Sequence, residues 1–99
     1  MRLTLSRRAA ADINEIARFT LRTWGEAQAD RYRTGLNTFL ADMVVLADSG
    51  FQGRAVEGLP VNIRRMKYRA HFIFYQIAGE DLLVVRILHE RMDYVRHLL

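Results

Sequence analysis

Two runs of the sequence, His71–Ala78 (H-F-I-F-Y-Q-I-A) and Leu82–Leu88 (L-L-V-V-R-I-L), are apolar at nearly every position and stand only three residues apart. Aromatic and β-branched residues dominate them, and Gly79-Glu80-Asp81 between them carries turn chemistry, so they predict the two strands of a hairpin. A strand apolar on both alternating faces gains from burial only where something covers it above and below. The pair therefore belongs at the centre of a sheet, and the rest of the chain must supply neighbours and cover. Strand parity groups Phe72, Phe74 and Gln76 on one face, opposite His71, Ile73, Tyr75 and Ile77. Arg86, alone in the second run, and His89-Glu90-Arg91-Met92-Asp93 after it break the apolar pattern, and function is to be sought there.

The cover is legible upstream. Leu3-Thr4-Leu5 alternates with polar neighbours and predicts a short first strand, and Ser6 stands where a helix N-cap belongs. From Arg7 to about Thr23, Ala9, Ile13, Ile16, Ala17, Thr20 and Trp24 recur at helical spacing. That stripe predicts an amphipathic helix whose Trp24 packs into the core. Gly25 is the usual left-handed stop. A second helix from Glu26 to about Asp48 carries Ala29, Tyr32, Leu36, Phe39, Leu40, Met43 and Leu46 as its apolar stripe; Gly35 within it suggests a close helix–helix approach. So short a connection makes a helical hairpin.

Ser49 to Pro60 holds three glycines and the only proline and reads as a loop. Val61–Arg69 (V-N-I-R-R-M-K-Y-R) reads as an edge-like strand, with Val61, Ile63, Arg65, Lys67 and Arg69 on one face and Asn62, Arg64, Met66 and Tyr68 on the other. Met92–Leu99 predicts a last helical turn or two. The expected fold is α+β in the order β-α-α-β-β-β, a single domain over residues 1–99. A small antiparallel-type sheet carries the helical hairpin on one face and leaves the other partly open.

Composition narrows the chemistry. With no cysteine, disulfides and thiolate metal sites are excluded. No apolar run approaches the ~20 residues of a membrane span, and Met1-Arg2 leads into no signal-peptide core, so a cytoplasmic protein without membrane contact is expected. No second histidine lies at metal-ligand spacing from His89, and no Gly-rich phosphate loop or Ser-His-Asp set is present; neither metal nor cofactor is expected. The net charge of +4 comes with fourteen arginines and a single lysine, Lys67. Arginine pairs bidentately with carboxylates and phosphates, which points to an acidic partner. Acidic residues interleave with the basic ones, so an acidic protein segment is favoured over direct nucleic-acid binding. Arg86 must be paired or must emerge on the open face; Glu90 and Asp93 are the partners within reach in sequence, and a contact to another protein is the alternative. His89 and Asp93 read as residues that cap the end of the last strand.

Four motifs in order carry a resemblance. L-T-L-S-R-R-A-A-A-D-I-N-E-I, then T-W-G-E-A-Q-A-D-R-Y, then H-F-I-F-Y, then V-V-R-I-L-H-E-R-M-D-Y-V-R-H-L resemble the RelE/ParE superfamily of toxins from bacterial type II toxin–antitoxin modules. The match is closer to the ParE branch, in which a W-G-x-x-Q-A junction and a terminal I-L-H-x-x-M-D are typical. The resemblance implies a small cytoplasmic, growth-inhibiting toxin of the kind that stabilises plasmids. It further implies neutralisation by a cognate antitoxin whose acidic C-terminal segment wraps the toxin, and so a hetero-oligomeric complex. For the ParE branch it implies inhibition of DNA gyrase, a type II topoisomerase, by protein–protein binding without catalysis. For the RelE branch it implies ribosome-dependent cutting of mRNA.

The two readings share residues. As a binding protein, the chain offers Arg64, Arg65, Lys67, Arg69, Arg86, Arg91, Tyr94 and His97 to antitoxin or target, along with the tail to Leu99. As a ribonuclease, it would use Arg65 and Lys67 as phosphate clamps, Arg91 as the later arginine and His97 as the terminal acid or base. Phe72 stands near where the nuclease pattern expects an arginine, which favours the binding reading.

Overall fold

The computed structural model describes residues 1–60 and 62–98. Val61 and Leu99, the first residue of the expected third long strand and the last of the tail, lie outside them. The elements are β1 (Arg2–Leu5), α1 (Arg7–Trp24), α2 (Glu26–Asp48), β2 (Arg54–Ala55), β3 (Arg64–Tyr68), β4 (His71–Ala78), β5 (Asp81–His89) and α3 (Tyr94–Leu98). Among the described residues no helix is long and apolar enough to cross a membrane.

The strands order as β1-β5-β4-β3-β2, with the apolar pair β4 and β5 inside as their composition requires. The pairings β2–β3, β3–β4 and β4–β5 are antiparallel, but β1 pairs with β5 in parallel, so the sheet is mixed. The helical hairpin carries the chain from one end of the sheet back to the other, which leaves β1 running alongside β5. Two expectations about the third long strand need correction. It begins at Arg64, and it is not the outermost strand, because Arg54 and Ala55 from the expected loop pair with Arg65 and Arg64.

Both helix ends follow their sequence signals. Ser6 Oγ accepts the Ala9 N–H at 2.9 Å and itself donates to the Val85 carbonyl at 2.6 Å, tying the start of α1 to the sheet. Gly25, at φ 93°, donates its N–H to Leu21 and turns the chain directly into α2.

Two clusters make the core. On the hairpin side, Ala9, Leu36, Leu40 and Met43 pack on Ile73, Tyr75, Leu82, Val84 and Ile87, so the His71-Ile73-Tyr75-Ile77 face meets the helices. On the other side, Phe74 and Leu88 pack with Val56, and Leu59, Ile63, Phe72, Tyr94 and Leu98 close over them. That face is therefore covered in part by the 49–60 segment and α3. Gly35 admits a tyrosine rather than a helix: a Cβ there would lie 2.0 Å from Tyr68 Oη. The tryptophan expectation is overturned, since Trp24 is 70% exposed. Tyr32 and Phe39 are half-buried against the first cluster, as the stripe predicts for them.

Candidate functional site

The basic residues of β3 divide by parity. Arg65 and Lys67 register against Phe74 and Phe72 and lie on the sheet face away from the hairpin. Arg65 stacks its guanidinium over the Phe72 ring at 4.2 Å and stands 5.5 Å from the Tyr94 ring. Such a stack orients the planar fork while leaving its donors for a partner. Lys67 bonds Glu90 at 2.6 Å, an ion pair exposed on both sides, and this hydrogen bond holds the Glu90 carboxyl below the usual carboxylate range. Arg64 lies on the opposite face, near Tyr75, whose hydroxyl donates to the Gln52 carbonyl at 2.9 Å.

Tyr94 is brought to this surface by α3: its ring packs 5.6 Å from Phe74 and its hydroxyl reaches the Glu57 carbonyl at 3.4 Å. Arg91 is exposed in the turn before α3, and His97 is half-buried within it. Among the described residues no hydrogen bond or ion pair joins Arg91 or the His97 ring to Arg65 or Lys67.

Arg86 is a structural fork, and its partner is not Glu90 or Asp93. Its Nε and Nη2 donate to the Asp12 carboxylate of α1 at 2.8 and 3.0 Å, and its Nη1 reaches the His97 carbonyl of α3 at 3.4 Å. Asp12 also accepts the Ile87 N–H at 2.9 Å. β1 pairs with β5 only as far as Val84, so this carboxylate satisfies a ladder donor that has no strand opposite it. The register shift between Phe74 and Tyr75 falls opposite the same stretch and re-aims Arg86. His89 does close the strand end, its Nδ1 accepting the Arg91 N–H at 3.1 Å, while Asp93 is exposed before α3.

A second surface was not foreseen as a unit. Where the hairpin overhangs the β3–β4 turn, Phe19, Trp24, Tyr32, Arg69, His71 and His89 line an open groove of about 560 Å³. On its floor Tyr32 Oη and His71 Nδ1 are 2.8 Å apart, and the His71 and His89 rings meet edge to face at 5.4 Å. Burial raises the Tyr32 hydroxyl pKa, helped by Tyr68, and burial with the adjacent His89 lowers that of His71. Arg69, expected beside Arg65 and Lys67, is here instead. The only sequence signal for the groove was the helical stripe running on to Trp24.

This mixed sheet with a helical hairpin on one face is a fold shared with a solved structure. A chain of the chromosomal ParDE TA system from P. aeruginosa superposes with a TM-score of 0.78 at 22% identity, covering 90% of this chain and 95% of that one. At that identity the likeness shows the fold. Two sequence relatives are nearer. Toxin ParE of Escherichia coli is 38% identical over 95% of this chain and 89% of its own length. Toxin ParE1 of Caulobacter vibrioides is 33% identical over 95% and 94%. The family model for the ParE toxin of the type II toxin–antitoxin system parDE matches residues 3–94. The chain belongs to the ParE toxin family.

Proposed function

We propose that this protein inhibits DNA gyrase by stoichiometric protein–protein binding in the cytoplasm, and that a cognate antitoxin neutralises it by laying an acidic segment on the same molecule. The observation that supports binding over catalysis is the state of the basic strand. Glu90 already occupies Lys67, one of the two phosphate clamps the nuclease reading needs, while the Arg65 fork stacked on Phe72 keeps its donors for an acidic partner. Gyrase as the target follows from the ParE-branch resemblance. Arg64, Arg65, Lys67, Arg91 and Tyr94 are the proposed contacts, and Arg69 contributes from the groove. Arg86 contributes indirectly by fixing α3.

Induced expression in growing cells tests this reading. Thymidine incorporation should fall before methionine incorporation does, because a gyrase poison blocks replication first. The reverse order, with cleaved mRNA, would instead favour a ribosome-dependent ribonuclease.

A further inference from the structure

We propose that the groove under the hairpin tip is a receptor for one bulky apolar side chain of an acidic peptide segment, with Arg69 receiving the carboxylate beside it. The inference rests on the reading that an acidic antitoxin segment covers this protein, and it names where and how that segment is anchored.

The walls of the groove are largely apolar. Phe19 and Trp24 are 57% and 70% exposed, yet they flank a concavity whose floor is aromatic and imidazole. Scattered apolar residues on a surface need no explanation, whereas two beside a cavity large enough for a phenyl or leucyl group form a receptor.

The polar groups set the charge of the guest. Tyr32 Oη and His71 Nδ1 share one hydrogen bond. His89 accepts a backbone N–H at Nδ1, so its neutral tautomer presents an Nε2–H donor. The Glu15 carboxylate at the margin is engaged by Arg18. Arg69 donates from Nε to Tyr68 Oη at 3.1 Å and, among the described residues, has no acidic partner. The rim therefore offers donors and an uncompensated positive charge, which complements an acidic segment.

Backbone strain gives the strongest indication. Arg69 sits in the two-residue turn between β3 and β4 at φ 53°, the one non-glycine residue at positive φ among those described. Glycine fits such a position and arginine costs folding stability there. An arginine held against its backbone preference, with its fork set beside Tyr68 at the edge of the groove, is explained by what the guanidinium binds.

Trp24 is the sole tryptophan and forms part of the wall, so occupancy can be read from its fluorescence. The probes are a short acetylated peptide with one phenylalanine among glutamates, its Phe-to-Ala copy, and a copy with lysines replacing the glutamates. The acidic phenylalanine peptide should shift Trp24 emission saturably, and both copies should bind at least roughly fivefold more weakly. Arg69→Gly should retain or raise the melting temperature while abolishing the preference for acidic over basic peptide. Phe19→Ala, at an exposed position, should stay folded and weaken binding of the phenylalanine peptide. Unchanged Trp24 emission, equal binding of acidic and basic peptides, or an undiminished preference in folded Arg69→Gly would overturn the proposal. These outcomes do not involve gyrase, so they separate failure of the pocket from failure of the toxin reading.

Discussion

Arg86 and Asp12 stand 74 residues apart in sequence and meet as fork and carboxylate, with two bonds of 2.8 and 3.0 Å at the margin of the sheet. Their side chains are only 15% and 14% exposed, so neither can lose its partner cheaply. The same carboxylate takes the Ile87 N–H, and the same guanidinium reaches α3 through the His97 carbonyl. One pair thus joins the first helix, the last long strand and the last helix.

Replacing Asp12 by alanine should therefore cost about 2–4 kcal/mol, below the ~3–5 kcal/mol of a fully buried pair because both side chains keep some contact with solvent. For a domain of this size that corresponds to a fall in melting temperature of roughly 4–8 °C per kcal/mol. Asp12→Asn keeps an acceptor for the Ile87 N–H and should lose less. Thermal unfolding by circular dichroism checks both, and equal losses would mean that the charge carries the effect.

Gly35 separates local propensity from packing. In an exposed helix interior, Gly→Ala gains up to about 1 kcal/mol. Here the new Cβ would meet Tyr68 Oη at 2.0 Å, and the Tyr68 ring is packed against those of Tyr32 and Phe39. Gly35→Ala should instead destabilise by about 1–3 kcal/mol. Adding Tyr68→Phe should recover part of that loss, which chemical denaturation of the single and double variants would show.

Trp24→Ala should change stability by no more than about 0.5 kcal/mol, the surface range, rather than the ~3–5 kcal/mol of a core tryptophan. A urea-unfolding comparison decides between them.

Acidification should weaken the fold through His71. Burial first, and His89 second, hold its pKa below the ordinary 6.5, against smaller opposing effects of Glu90 and Asp12. The unfolded chain then takes up this proton at a higher pH than the folded chain does. Stability associated with His71 is complete above the ordinary histidine value and declines as the pH falls through it toward the lower folded value. The urea midpoint should drop between pH 7.5 and 5, and His71→Gln should make that drop smaller.

Much of this architecture was legible in the sequence because it rests on local rules. Two apolar runs had to be central strands, Ser6 had to cap and Gly25 had to turn. What escaped depends on non-local geometry. Helical spacing shows that Trp24 continues the apolar stripe of α1, but not that the groove, rather than packed core, lies beneath the last turn. Nearness in sequence suggested Glu90 or Asp93 for Arg86, whereas the fold delivers Asp12 from a helix at the far end of the chain. The parallel pairing of β1 with β5 follows from where the helical hairpin sets the chain down, which no residue of Leu3-Thr4-Leu5 encodes. The basic strand was read correctly as alternating, yet Arg69 leaves the alternation because it occupies a turn at positive φ. For the candidate contacts, sequence supplied the residue types, and structure set Arg65 and Lys67 on one face, Arg64 on the other and Arg69 at the groove.

That separation gives a further expectation. Arg65→Ala, Lys67→Ala and Arg91→Ala together alter a stack, an exposed ion pair and an exposed turn. The triple variant should stay folded, with a melting temperature near wild type, and should lose growth inhibition or antitoxin binding. A folded triple variant that retains both would remove this surface from the site.

The central claim is most directly tested by supercoiling of relaxed plasmid with purified gyrase, titrated with this protein toward stoichiometric amounts. A parallel reaction holds translating ribosomes and labelled mRNA. The account predicts loss of supercoiling near equimolar protein with the mRNA intact. Undiminished supercoiling accompanied by cut mRNA would contradict it and would make Arg65, Lys67, Arg91 and His97 candidates for catalysis.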